Sequence, residues 1–233
     1  MSLRNLSLPM SIRRALEKTL RQHLGFGAIT WPTFGMEVQI GDAARSGIDG
    51  FEFAGLGNLL QRYGLDANDY QPMDEEPTID IEFSHEVSRS GSLAAQYREG
   101  KNEASVDLKF DGHTAFYLFV PKARIRELRD VDSLARDIHG AAKKRGDRVS
   151  IRERIVYKTI EAEGPGTLLM SQSRSGSATL GAKLGAEGSG KLDLSGTSGD
   201  ITRIHVDGNS SVFAFGVFRL AVGRRHYVLD PID

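Results

Sequence analysis

The chain contains no cysteine among its 233 residues, which removes disulfides, thiolate nucleophiles, iron–sulfur ligation and zinc–cysteine clusters together. Net charge is almost as scarce. Against 31 acidic side chains stand 30 basic ones, so at −1 no global field draws the molecule to nucleic acid or anionic lipid. Any electrostatic partner has to be met by a local patch. No stretch approaches the ~20 apolar residues of a spanning helix. Near the start, Arg4, Arg13, Arg14 and Lys18 interrupt the apolar positions; the segment does not read as a signal peptide, and a cytoplasmic location is expected. Without such a signal the triplets Asn5-Leu6-Ser7 and Asn209-Ser210-Ser211 carry no weight as glycosylation acceptors. Repeats and low-complexity linkers are also lacking, so residues 1–233 are expected to form one domain.

Motif chemistry is equally thin. Gly185-Ala186-Glu187-Gly188-Ser189-Gly190-Lys191 has the spacing of a phosphate loop up to its lysine, yet Leu192 stands where a magnesium-binding hydroxyl belongs. A phosphate loop must also open a helix, and Leu192-Asp193-Leu194 reads as strand. Gly55-Leu56-Gly57 lacks the third glycine of a dinucleotide site. Asp74-Glu75-Glu76 is a solvated acidic loop without the glycine-centred geometry of a calcium site. The histidines (23, 85, 113, 139, 205 and 226) stand singly, with no ligand-like pair on a helix. No cofactor or metal is expected. A hydrolase with a non-local Ser/His/Asp site, drawing on His85, His113 or His205, stays as a rival because such residues converge only in space.

What is present is periodicity. Ile12, Leu16, Leu20 and Leu24 recur every four residues after Ser11, predicting an amphipathic helix that stops near Gly25. Its polar side carries Arg13, Arg14, Lys18 and Arg21, either a solvated face or a patch for acidic headgroups. Met36, Val38 and Ile40 predict a short strand, Asn58 to Tyr63 a short helix, and Asp66 to Pro77 a loop. From Thr78, Ile79, Ile81, Phe83, His85 and Val87 point one way and Asp80, Glu82, Ser84 and Glu86 the other, predicting one strand of about ten residues. Leu93, Ala95 and Tyr97 continue the alternation, Glu99 to Asn102 turns the chain, and Ala104, Val106, Leu108 and Phe110 resume it, so a hairpin or meander is expected.

Ala115 to Val120 is an uninterrupted apolar run suited to a strand covered on both faces, closed by Pro121. Lys122 to Arg145 is predicted as a second helix, using Ile125, Leu128, Leu134, Ile138 and Ala142 as its apolar side. A long strand is expected from about 148 to 161, then a turn at Gly164-Pro165-Gly166. Ala178, Leu180, Ala182, Leu184 and Ala186, then Leu192 and Leu194, alternate with small polar residues and glycine about the turn Glu187 to Gly190. This pair is either an exposed edge hairpin of a sandwich or a weak membrane-strand signature. Ile201 to Val206 gives a further strand and Val212 to Val222 a second buried one. The fold class is therefore α+β, a twisted and mostly antiparallel sheet with flanking helices.

This order of elements, ending in Ser211-Val212-Phe213-Ala214-Phe215-Gly216-Val217-Phe218-Arg219-Leu220 and the tail Arg224-Arg225-His226-Tyr227, resembles the pore-forming N-terminal domain of gasdermins, especially compact microbial ones. The resemblance implies a non-enzymatic monomer that is cytoplasmic while inactive and moves to the inner or plasma membrane when active. There, regions 79–110 and 148–194 extend into two hairpins of a large homo-oligomeric ring, in cell death or defence. It implies acidic lipid as partner, contacted through Arg13, Arg14, Lys18 and Arg21. Ile79, Ile81, Phe83, Val87, Val106, Leu108, Leu180, Leu184, Leu192 and Leu194 would line the inserting hairpins. An activating protease or a partner gasdermin subunit also follows from it; cleavage after Arg224 or Arg225 would release a short regulatory tail, 226–233. The chain departs from microbial members in lacking an N-terminal cysteine for acylation, and it carries no large repressor region. A non-enzymatic β-rich lipid- or protein-binding module is the alternative.

Overall fold

The structure is a computed structural model that describes residues 9–24, 38–47, 50–52, 57–72, 78–99, 103–148, 153–184, 190–206, 208, 211–220 and 227–229. Its described strands fall into two antiparallel sheets, with helices laid against them.

The first sheet has the order β11 (Ile201–Val206), β8 (Gly166–Ser171), β6 (Ala115–Glu127), β7 (Glu153–Ala162), β1 (Ala43–Gly47), β2 (Gly50–Glu52). Three more strands attach to it: β3 (Thr78–His85) on β6, β12 (Ser211–Leu220) on β7, and β13 (Tyr227–Leu229) on β12. The second sheet has four strands in the order β10 (Gly190–Ser198), β9 (Gly176–Leu184), β5 (Glu103–Phe110), β4 (Val87–Arg89).

β6 is the spine. Ala115 to Val120 are all completely buried, as an apolar run with no polar alternate must be, because neighbouring side chains point to opposite faces. Phe116, Leu118 and Val120 pack with Ile81, Leu168 and Met170 beneath α1 (Met10–Leu24), whose Ile12, Leu16 and Leu20 form the seam of that helix. Tyr117 and Phe119 face the other way, into Val106, Leu108, Leu180 and Leu192 of the second sheet. Farther along, α2 (Leu59–Tyr63) and α4 (Val131–Arg145) pack on Ile155, Tyr157 and Phe218.

Midway along β6 the ladder to β3 is interrupted: Ile81 pairs with Val120 and Ile79 with Ala123, leaving Pro121 and Lys122 opposite Asp80. Proline has no N–H to give, and Lys122 adopts φ 52°, so the chain bulges. Here β6 also exchanges partners, from β8 along Ala115–Phe119 to β7 along Ala123–Glu127.

Five expectations are corrected. The strand does not close at Pro121; it runs on to Glu127, because β3 and β7 supply ladder partners for residues 123 to 127. The helix begins only at Val131, where the Asp130 carboxylate accepts the Ser133 N–H at 3.0 Å, and Gly146 ends it at φ 71°. Leu93 to Arg98 is a helix, α3, not a strand: the Ser92 hydroxyl accepts from Ala95 N at 3.0 Å, and a two-residue alternation is indistinguishable there from a short helix burying Leu93 and Ala94. The strand starting at Thr78 breaks at Glu86, which takes φ 51°, and Val87 passes into the second sheet to pair with Phe110. Finally, Val38 to Ile40 are irregular and turn residues rather than strand; the strand of that region is Ala43–Gly47. Residues 36 and 37 lie outside the described set.

Several elements match the pattern reading, whereas β2, β8 and β13 are not anticipated by it. α1, α2, β5, the β9–β10 pair, β11 and β12 stand where periodicity puts them, and the α+β, mostly antiparallel class holds. The Asp66–Pro77 loop contains one short 3₁₀ turn, Ala67–Tyr70, capped by the Asp66 side chain.

Candidate functional site

The second sheet is built from alternation alone. Along β5, Ala104, Val106, Leu108 and Phe110 are buried while Glu103, Ser105, Asp107 and Lys109 are exposed. β9 matches it residue for residue, Val106 opposite Leu180 and Ala104 opposite Ala182. β10 returns alongside with Leu192 opposite Ala182 and Leu194 opposite Leu180, and an irregularity after Ser195 where Gly196 takes φ 57°. The outer face is polar throughout its described positions: Thr179 Oγ1 donates to Asp107 at 2.7 Å, Ser177 and Ser198 hydroxyls meet at 2.8 Å, and Lys183 reaches Glu103 at 2.8 Å. The described part of Gly190-Lys191 lies at the start of β10, so the phosphate-loop-like spacing opens a strand and presents no helix N-terminus.

One carboxylate ties this layer to the first sheet. Glu82, on the alternate face of β3, has a side chain only 4% exposed. It accepts from Arg89 Nη1 at 2.8 Å, Ser92 Oγ at 2.5 Å, Leu93 N at 3.2 Å, Ala94 N at 2.8 Å and Tyr117 OH at 2.8 Å. The donors come from β4, the start of α3 and β6, while Glu82 itself belongs to β3. Burial, and then the Glu82 charge, push the Tyr117 hydroxyl pKa upward, keeping it a donor. Beside this cluster Tyr97 of α3 stacks on Phe119 with ring centres 6.1 Å apart. The Tyr97 hydroxyl is buried with no hydrogen-bond partner among the described residues, and burial pushes its pKa up to about 12. At the other margin Arg203 of β11 donates to Thr167 Oγ1 at 3.2 Å and to the Leu192 carbonyl of β10 at 2.7 Å; burial depresses its pKa.

The residues predicted to insert are divided between the sheets. Ile79, Ile81 and Phe83 lie on β3 in the core under α1, and Phe83 stacks on His23 at 4.7 Å. Val87, Val106, Leu108, Leu180, Leu192 and Leu194 belong to the second sheet. Leu184 closes β9 opposite Gly190. In this form 79–110 is not a hairpin: β3 pairs with β6, and β5 pairs with β4 and β9. β9 and β10 do pair as a hairpin.

The four basic residues of α1 are not equivalent. Arg14 and Lys18, one turn apart, are exposed; Arg13 is largely covered and donates to Glu17 at 3.1 Å, and Arg21 is half-buried. Burial raises the Glu17 pKa, against the pull of Arg13. Arg224 and Arg225 lie outside the described residues, as do 226 and 230–233.

For the hydrolase rival, His85 stacks on Phe116 and the His113 ring contacts the Gln172 carbonyl at 2.7 Å. An open depression of about 390 Å³ between α2 and the preceding turn is lined by Gln39, Asn58, Gln61 and Asp66 but by no serine or histidine. Among the described residues no group of three His, Asp or Glu side chains is placed to hold a metal, and no helix is long and apolar enough to cross a membrane. Sequence reasoning missed Glu82, Tyr117 and Arg203. An acid at an alternate strand position carries no mark of its own, and only the tertiary arrangement brings five donors to it.

No protein-family model matches the chain, and no curated protein matches it. Among solved structures it is similar to the cryo-EM structure of the Gasdermin A3 membrane pore, over 95% of this chain and 93% of that one, at 10% identity and a TM-score of 0.35. A likeness that loose assigns neither family nor activity, and the fold class above rests on the strand pairing itself.

Proposed function

We propose that this protein acts on membranes, forming a pore by oligomerisation and by extension of strand pairs into the bilayer. The observation that carries this reading is the second sheet. β5, β9 and β10 are 8, 9 and 9 residues long, with an apolar inner set and a polar outer set. A spanning strand needs about 9–11 residues with alternate apolar side chains, so little lengthening is required. In lipid every backbone group must be paired, which makes a closed ring of many copies the state such strands reach. Acidic lipid is the proposed surface, met by the exposed Arg14 and Lys18 of α1. Self-association and a soluble inactive form belong to the same proposal, as does a non-enzymatic role.

A second reading, a static β-rich binding module, is favoured by one feature: Leu180 and Phe110 on the inner face are completely buried, as in any well-packed sandwich. Dye-loaded liposomes separate the two. The pore reading expects release from vesicles containing acidic phospholipid, and ring-shaped particles by electron microscopy after detergent extraction. Binding that leaves the vesicles sealed favours the module and ends the pore proposal.

A further inference from the structure

We propose that Glu82 is a conformational catch: it holds the β4–α3 segment against the first sheet, and its release frees that segment, together with the β5 strand it is bonded to, from the first sheet without unfolding the spine. The membrane reading gives the catch its purpose, but its existence is a separate matter.

The segment's other hydrogen bonds run mainly to β5: besides the three-residue β4–β5 ladder, Ser90 N donates to the Asp107 carbonyl at 3.0 Å, Ser90 Oγ accepts from Asp107 N at 2.9 Å, and Gln96 Nε2 donates to the Ser105 carbonyl at 3.0 Å. β4 has three residues and α3 six, too short to persist alone. Two α3 side chains, Leu93 and Ala94, are buried against the second-sheet core, and the α3 bond to Asp80 through Arg98 is exposed and 3.4 Å long. Glu82 supplies bonds that converge on a single covered carboxyl group from Arg89, Ser92, Leu93, Ala94 and Tyr117. Charge-assisted bonds from backbone N–H groups and a guanidinium are the strong kind, and stranded buried donors are costly. The helix also keeps a cap of its own, since Ser92 Oγ accepts from Ala95 N. Loss of Glu82 therefore weakens the docking of α3 to the first sheet and leaves the N–H groups of Leu93 and Ala94 without their acceptor. Tyr97 works in the opposite sense: its buried hydroxyl, without a partner among the described residues, weakens the docked state from within the same helix.

Two substitutions of opposite expected sign test this on the full chain, by hydrogen–deuterium exchange in the absence of any membrane. Glu82→Gln keeps the shape and removes the charge; exchange within 87–110 is expected to rise by about ten-fold or more, with 116–120 and 155–160 little changed. Tyr97→Phe is expected to slow exchange in the same segment. If Glu82→Gln folds poorly, Tyr117→Phe removes one donor and leaves the α3 cap in place; it is expected to give a smaller acceleration confined to 87–110. The proposal is overturned by acceleration spread equally over both sheets, by none at all, or by faster exchange in Tyr97→Phe. Liposome leakage is scored separately. Selective opening with sealed vesicles leaves the catch standing and removes the pore, whereas leakage without selective opening does the reverse.

Discussion

Two sheets of one chain solve the burial problem differently. In the first, β6 presents Ala115-Phe116-Tyr117-Leu118-Phe119-Val120, apolar on both faces, and has α1 on one side and the second sheet on the other. In the second, β5 reads Glu103-Ala104-Ser105-Val106-Asp107-Leu108-Lys109-Phe110, and only every other residue is covered. A strand of the first kind has no alternative environment in water. One of the second kind has an inner face that any apolar medium satisfies, so its present packing is one of two that its composition permits.

Core truncations give the widest separation. Phe116→Ala is expected to cost about 3–5 kcal/mol, read from urea unfolding, because both neighbours of the ring are fixed strands. The sharper comparison uses one chemistry at two sites, both completely buried: Leu118→Ala in the first sheet and Leu180→Ala in the second. Both fall within about 2–5 kcal/mol, with Leu118 at the upper end and Leu180 at the lower, because small residues around Leu180 let the layer settle into the space. Equal losses at the two leucines would erase the distinction drawn between the sheets.

A smaller effect belongs to α4. Asp130→Ala removes the side-chain acceptor of its first turn and is expected to lower stability by about 1 kcal/mol. The same cap has a pH signature. Hydrogen bonding from Ser133 holds the Asp130 pKa below the usual carboxylate range. A depressed folded pKa means that the contribution is complete above the unfolded value and is lost as pH falls through the folded one. The gap between wild type and Asp130→Ala should accordingly be constant at neutral pH and close only under strongly acidic conditions; a gap closing between pH values of about 6 and 8 contradicts it. The smallest stability effect is expected on the outer surface of α1. Arg14→Glu with Lys18→Glu should leave the unfolding midpoint within about 0.5 kcal/mol of wild type, while abolishing capture by acidic liposomes. Capture unchanged by this double reversal would remove the lipid role given to that face.

The contrast also explains which parts of the fold were legible. Two-residue alternation gave β5, β9, β10 and β11, and four-residue spacing gave α1, since these elements cover one face and the pattern records which. Signals failed where a partner made the decision. Leu93-Ala94-Ala95-Gln96-Tyr97-Arg98 satisfies either period, and Ser92 with the distant Glu82 makes it helical. Lys122 to Leu128 has helical spacing, yet neighbours on both sides of β6 draw it into the ladder. The basic spacing of α1 was visible, but not that Glu17 occupies Arg13. The site proper, with Glu82 at its centre, had no local mark, because hydrogen-bond donors from residue 89 to residue 117 are assembled only by the fold.

The irregular pair Pro121-Lys122 bears on how this chain tolerates editing. Between its pairs with Ile79 and Ile81 the spine carries one residue more than β3, while its ladder to β7 begins only at Ala123. Deleting Lys122 would even the count against β3 but remove the residue whose carbonyl accepts the Glu163 N–H at 2.8 Å, just beyond the end of β7. A change of length here therefore suits one neighbour of the spine and disturbs the other.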